Sequence, residues 1–299
     1  MYNNIPLSSF CLGTVQLGMP YGISNTHGQP SISEAHAILD TALEHGVNCF
    51  DTAQAYQNSE NVLGSYQEMH PNHTMYIISK ISSDEFSTKA EQSVKKSLEA
   101  LRSDTLFALL LHDTHALKNW SSQEERALLQ LKEKKMIKHF GVSIYNDEEF
   151  LAAVNNQSID IIQVPFNLFD QRAHKKSWFE QAKEANKLIF VRSVFLQGLF
   201  FMSTENLPQN LESAAPFLNL LYTLSEENHC SITELALSFV RSSAPEAIVI
   251  LGCETESQLL ENIALFNACK SLDKNTLNKI YDTIFHVPKT IYNPALWNQ

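Results

Sequence analysis

Eight short apolar runs punctuate the chain and limit what it can fold into. They are FCLGT (10–14), VNCF (47–50), MYIIS (75–79), LFALLL (106–111), HFGVS (139–143), IDIIQV (159–164), LIFVRS (188–193) and AIVIL (247–251). Each is mostly continuous rather than alternating, and rich in Ile, Val, Leu and Phe, as expected of strands covered on both faces in a parallel sheet. Between them the periodicity turns helical. SEAHAILDTALEHG (33–46) sets Ile38, Leu39, Ala42 and Leu43 on one face and ends in a glycine suited to a helix C-terminus. TKAEQSVKKSLEALR (88–102) does the same with Val94, Leu98 and Leu101, leaving Lys95 and Lys96 to solvent. Similar patterns fall at about 122–136, 147–154, 174–186, 212–242 and 256–267, and Glu60 sits where a further helix starts. Strict alternation with no Pro/Gly/Ser-rich divider predicts a (β/α)8 TIM barrel, an α/β fold, in a single domain over 1–299. A doubly wound sheet is the alternative. With nine glycines and neither GxGxxG nor GxxxxGK[ST], its usual phosphate-cradling loops are missing.

Composition narrows the class. Apolar residues make up 44% of the 299, enough for a sizeable core. A formal charge of -11 argues against nucleic acid or anionic membrane as a partner. No apolar run approaches the roughly 20 residues needed to span a bilayer, and the N-terminus has no basic segment followed by an apolar one. The five cysteines are scattered, without CxxC, which fits reduced thiols in a cytoplasmic compartment.

In barrels of this kind the site lies at the C-terminal ends of the strands. The residues at or just past the runs are Asp51, Lys80, His112, Ser143, Gln163 and Ser193, with Gly252 after the last. Each has a plain reading: Asp51 as a helix cap, Lys80 as a surface lysine, His112 as a satisfied buried histidine, and Tyr56 as a packed loop aromatic. Together they make a proton-transfer set. A tyrosine is a sluggish acid at neutral pH, and an adjacent ammonium is expected to lower its pKa towards the working range. A carboxylate would hold the lysine, and a histidine could orient a carbonyl oxygen that gains negative charge. No nucleophile and no metal-ligand spacing accompany them, so a hydride donor, a nicotinamide cofactor, would complete the set.

At these residues the sequence resembles the aldo-keto reductase superfamily, from about 10 to 266, in a bacterial style with a short C-terminal tail. LGTVQLGMPYGI looks like its first strand and loop, and FDTAQAYQNSE its DTAxxYGxSE segment. YIISK and LLLHD resemble the strands ending in lysine and histidine, and FGVSIYN the GVSN segment. IIQVPFNLFDQR, VRSVFLQGLF and ILGCETESQLLENI follow in the family's order. The resemblance implies a catalytic tetrad of Asp51, Tyr56, Lys80 and His112, with Tyr56 as general acid. It places Ser143 and Gln163 on the nicotinamide carboxamide and Phe166 against the nicotinamide ring. Ser193, Phe195, Gln197 and Gly198 match the pyrophosphate loop, and Gly252, Glu254, Gln258, Glu261 and Asn262 the adenosine end. The implied activity is reduction of an aldehyde, ketone or sugar carbonyl with NADP(H). The alternatives are a regulatory nucleotide-binding subunit, or a cofactor-free lyase or aldolase using Lys80 as a Schiff base.

Three positions depart from the family pattern. Gln57 stands for the glycine after the tyrosine, and Ile144 for the asparagine of GVSN. Glu254 stands where a basic residue often grips the 2'-phosphate of NADPH; a carboxylate there repels phosphate by about 1 to 4 kcal/mol. NAD(H) is therefore expected as an alternative cofactor. Met19, Tyr21, Trp120, Tyr145, Phe195 and the tail 291–297 with Trp297 are the expected substrate-pocket surfaces. Oligomeric state is not readable from the chain.

Overall fold

The computed structural model describes residues 5–297. Eight parallel strands close into one barrel in chain order, with the eighth pairing back onto the first. They are β1 (Phe10–Gly13), β2 (Cys49–Asp51), β3 (Tyr76–Ile81), β4 (Leu106–Leu111), β5 (Ile137–Ser143), β6 (Ile161–Pro165), β7 (Leu188–Arg192) and β8 (Ile248–Gly252). Every apolar run is a strand, and the (β/α)8 expectation holds. The runs are continuous because both faces are buried. One set of side chains, including Cys11, Cys49, Ile78, Ala108, Leu110, Ile161, Phe190, Ile248 and Ile250, fills the barrel interior. The other set packs outward under the helices.

A strand alternates its side chains with a period of two, so interior positions predict what points inward at the mouth. Counting two residues on from Cys49, Ile78, Leu110, Gly141, Ile161 and Phe190 gives Asp51, Lys80, His112, Ser143, Gln163 and Arg192. The register keeps these ends level: Gly13 pairs with both Asp51 and Gly252, and Ser143 with Gln163.

The helices follow their caps. Ser31 closes a capping box with Glu34 at the start of Ile32–Glu44, and Ser231 does so with Glu234 for Ile232–Ser243. The 88–102 pattern belongs to a longer helix, Ser83–Leu101, capped by Ser82; non-helical backbone at Lys89 interrupts it and hides its first turn from periodicity. The single stretch expected at 212–242 is two helices, Ala215–Glu227 and Ile232–Ser243, because His229 turns left-handed (φ 50°) between them. Helix Lys274–Thr283 and short turns then run to Trp297. Among the described residues no helix is long and apolar enough to cross a membrane, and all five cysteines are free.

Candidate active site

The barrel mouth opens into a cavity of about 560 Å³. Its floor is an ionic cluster. Lys80 is 1% exposed, and its Nζ lies 2.6 Å from Asp51 Oδ2 while donating to Thr52 O at 3.0 Å and Tyr56 Oη at 3.4 Å. Gln163 Nε2 donates to the other Asp51 oxygen at 2.8 Å. A buried pair persists only when its remaining polar atoms are satisfied, and here both carboxylate oxygens and the ammonium have partners. His112 meets the Tyr56 ring edge-on, with centroids 5.7 Å apart. The structure thus brings Asp51, Tyr56, Lys80 and His112 into one cluster.

Tyr56 is carried by a tight turn after β2. Its O accepts from Ser59 N at 3.0 Å, and Gln57 adopts the left-handed region (φ 46°) that a glycine would enter freely. The turn is clamped from below by Thr14, Thr52 and Ser59, whose hydroxyls bond one another and the Asp51 and Thr14 carbonyls. Gly18 presses against it: a Cβ there would lie 2.0 Å from Tyr56 O. Glu60 lies in the first turn of helix Ser59–Met69 and accepts from Ser79 Oγ at 2.5 Å, and burial raises its carboxyl.

Electrostatics gives each group a form. Burial, the largest single influence, would lower the Lys80 ammonium, but Asp51 and Tyr56 together outweigh it and hold the group above its ordinary value. An amine fixed as its ammonium cannot add to a carbonyl, which weighs against a Schiff base. Burial raises the Tyr56 phenol, and Lys80 pulls it back only in part. The expected net lowering of Tyr56 is therefore reversed, because the phenol is too deeply enclosed for one ammonium to compensate. Tyr56 stays protonated at neutral pH, the form a proton donor needs. Burial first, then Lys80, pushes His112 down to about 4, so its imidazole is neutral.

His112 should leave a mark on acid stability. The unfolded histidine takes a proton near pH 6.5 and the folded one resists until about 4, so its share of stability is lost as pH falls through that window. Chemical denaturation at pH 7.5 and 4.5 is expected to show a smaller acid loss in His112→Gln than in wild type. Equal losses would place the imidazole in an open environment.

From this floor the cavity runs past Ser143, Gln163, Ser193, Phe195, Gln197 and Gly198 to Gly252, Glu254, Gln258, Glu261 and Asn262, with Tyr21 and Tyr145 on its rim. The loop after β7 is strained: Ser193, Leu196 and Gln197 are all left-handed, and Gly198 (φ 90°) leaves no room for a Cβ against Ser24. At the far end Thr255 caps helix Glu256–Ala268, and Glu254 N donates to Gln258 Oε1 at 2.8 Å.

Some expected residues lie elsewhere. Phe166 is wholly buried outside the barrel, against Phe179 and Phe239 at 5.1 and 5.2 Å, and cannot reach the cavity. The two-residue period explains it: Gln163 points inward, so Phe166 points out. Trp120 is also no pocket wall. It stacks on Phe86 at 5.9 Å and lies tilted against Phe140 at 5.8 Å, and its Nε1 donates to Glu125. Met19 and Trp297 line a neighbouring groove that shares Tyr21, Gly22 and Gln197 with the main cavity.

Arg192 and Gln16 stand out among the cavity residues that the sequence reading does not include. Arg192, inward-facing at the end of β7, was passed over for Ser193, although the period from Phe190 singles it out. Gln16, in the short helix Val15–Gly18 that follows β1, lines the cavity with a buried Oε1 that has no hydrogen-bond partner.

An inward ionic cluster at the C-terminal mouth of a (β/α)8 barrel defines a barrel-enzyme type of site. Residues 9–283 match the model of the Aldo/keto reductase family, and the chain belongs to that family. It is 26% identical over 280 residues to the uncharacterized oxidoreductase YqkF of Bacillus subtilis, across 83% of this chain and 90% of that one. Among solved structures, the glycerol dehydrogenase AKR11B4 of Gluconobacter oxydans superposes with TM-score 0.74 at 20% identity, over 97% of this chain and 94% of that one. An aldo/keto reductase from Klebsiella pneumoniae, solved with NADP and acetate, gives TM-score 0.71 at 17% identity, over 94% and 93%.

Proposed function

We propose that this oxidoreductase reduces an aldehyde, ketone or sugar carbonyl with a nicotinamide cofactor, Tyr56 giving the proton. One observation carries the reading: Lys80 Nζ joins the Asp51 carboxylate (2.6 Å) to the Tyr56 phenol (3.4 Å) on the cavity floor. A carbonyl oxygen beside Tyr56 Oη would receive its proton while the Lys80 ammonium stabilises the phenolate left behind. Neutral His112 would donate a hydrogen bond to the same oxygen without competing as an acid.

The cavity suits an extended nucleotide. Its lining runs from Asp51, Tyr56 and His112 to Glu254, Gln258 and Asn262, carries the partnerless Gln16 amide oxygen, and includes a capped helix N-terminus where backbone N–H groups favour an anion. Ser193, Gln197, Gly198, Gln258 and Asn262 would hold it. When bound, a reduced nicotinamide supplies the hydride. Gln163 and Ser143, expected to hold the carboxamide, already bond Asp51 and Arg192, so any such role is shared.

Glu254 does not suit a 2'-phosphate, and we read the site as tolerant of NADH. Glu254→Arg is expected to shift relative affinity towards NADPH by about tenfold to a hundredfold, measured by fluorescence titration of both cofactors. Wild-type NADPH binding a hundredfold tighter than NADH would show that Glu254 sets nothing.

The test of the whole reading is titration with both cofactors, then a carbonyl panel. No binding of either ends it. Binding with no turnover on any carbonyl favours the regulatory subunit.

A further inference from the structure

Arg192 is a charge the proposed chemistry does not use. Its Nε donates to Ser143 Oγ (3.2 Å), Nη1 to Ser193 Oγ (3.2 Å) and Nη2 to Ile144 O (3.1 Å), all neutral acceptors. The Tyr145 ring covers one face, 4.3 Å from Cζ. Among the described residues no carboxylate forms an ion pair with it. A guanidinium has five N–H groups, so two remain beyond these bonds, on a fork held flat by the tyrosine.

The rest of the cavity makes this charge stand out. Lys80 and Asp51 cancel on the floor, and His112 is neutral. Glu254 and Glu261 put negative charge at the far end. An anion entering the cavity is thus favoured at the Arg192 end. Arg192 is also near enough to Tyr56, His112 and Tyr21 to act on the charge of all three, which sets it beside the proton donor.

We propose that Arg192 recognises a carboxylate on the substrate, so that the site selects keto or aldehydo acids over neutral carbonyl compounds. Arginine suits the task because its planar fork takes both carboxylate oxygens at once. The other anion able to reach this cavity is a phosphate of the cofactor, and the experiment separates the two.

Binding comes first, because it needs no turnover. Benzoate and its neutral isostere benzamide are titrated calorimetrically into wild type and Arg192→Gln, with and without saturating NADP. Wild type is expected to prefer benzoate by about tenfold or more, with the preference collapsing in Arg192→Gln and partly restored in Arg192→Lys. Equal affinity in wild type overturns the proposal, as does a preference that survives in Arg192→Gln. A tenfold loss of NADPH affinity in Arg192→Gln with benzoate preference intact assigns the arginine to a cofactor phosphate, and likewise overturns it. Turnover is then compared on succinic semialdehyde and butanal. The kcat/KM ratio should favour the acid in wild type, through KM, and fall towards one in Arg192→Gln. Only this last arm rests on the carbonyl-reductase reading: benzoate selectivity without any turnover sinks that reading and supports this one.

Discussion

Tyr56→Phe is expected to lower carbonyl turnover by about a hundredfold to ten-thousandfold while binding NADPH and NADH within about threefold of wild type. The substitution removes one oxygen from a ring otherwise held by packing against His112 and the clamped turn of Thr14, Thr52 and Ser59. The hydrogen bond its hydroxyl accepts from Lys80 is long, 3.4 Å, so stability should fall by no more than about 1 kcal/mol. Lys80 keeps Asp51 and Thr52 as partners and stays charged. The loss is therefore chemical rather than structural. Burial raises the phenol, so the wild-type reductive rate should hold across neutral pH and fall only above the ordinary tyrosine value near 10. Stopped-flow single turnovers with wild type and variant give the comparison. Retention of a tenth or more of the rate would remove Tyr56 from proton transfer.

The fold was legible because a parallel barrel buries both faces of every strand, and eight continuous apolar runs leave few other arrangements. The site was legible where polar groups end those runs. Asp51, Lys80 and His112 could be read from position alone. Other parts needed the two-residue period carried up each strand. That period puts Arg192 inside and Phe166 outside, the reverse of what reading the run's last residue and the family pattern suggested. Trp120 had no such signal, since an aromatic after a short helix reads alike whether it lines a pocket or packs against Phe86 and Phe140. The Tyr56 pKa was legible in its parts and not in its sign. The lysine's pull is visible in sequence, whereas the opposing desolvation depends on depth, which only packing sets. Gln16 shows the same limit: its identity is plain, but an unpartnered buried oxygen is a property of its surroundings.

Lys80→Met should be the most destabilising single change in the site. It leaves the Asp51 carboxylate, 4% exposed, with the Gln163 amide as its one remaining side-chain partner. Removing one member of a buried pair costs about 3 to 5 kcal/mol, on the order of a 10 °C fall in Tm for a chain of this size. Adding Asp51→Leu to Lys80→Met removes the stranded charge and should recover part of the lost stability, though Gln163 Nε2 and Thr52 O then lack partners. Neither variant should regain turnover, because both lack the ammonium beside Tyr56. Equal stability of wild type and Lys80→Met at pH 7 would mean that the cluster is not the closed ionic unit on which the proton-transfer reading depends.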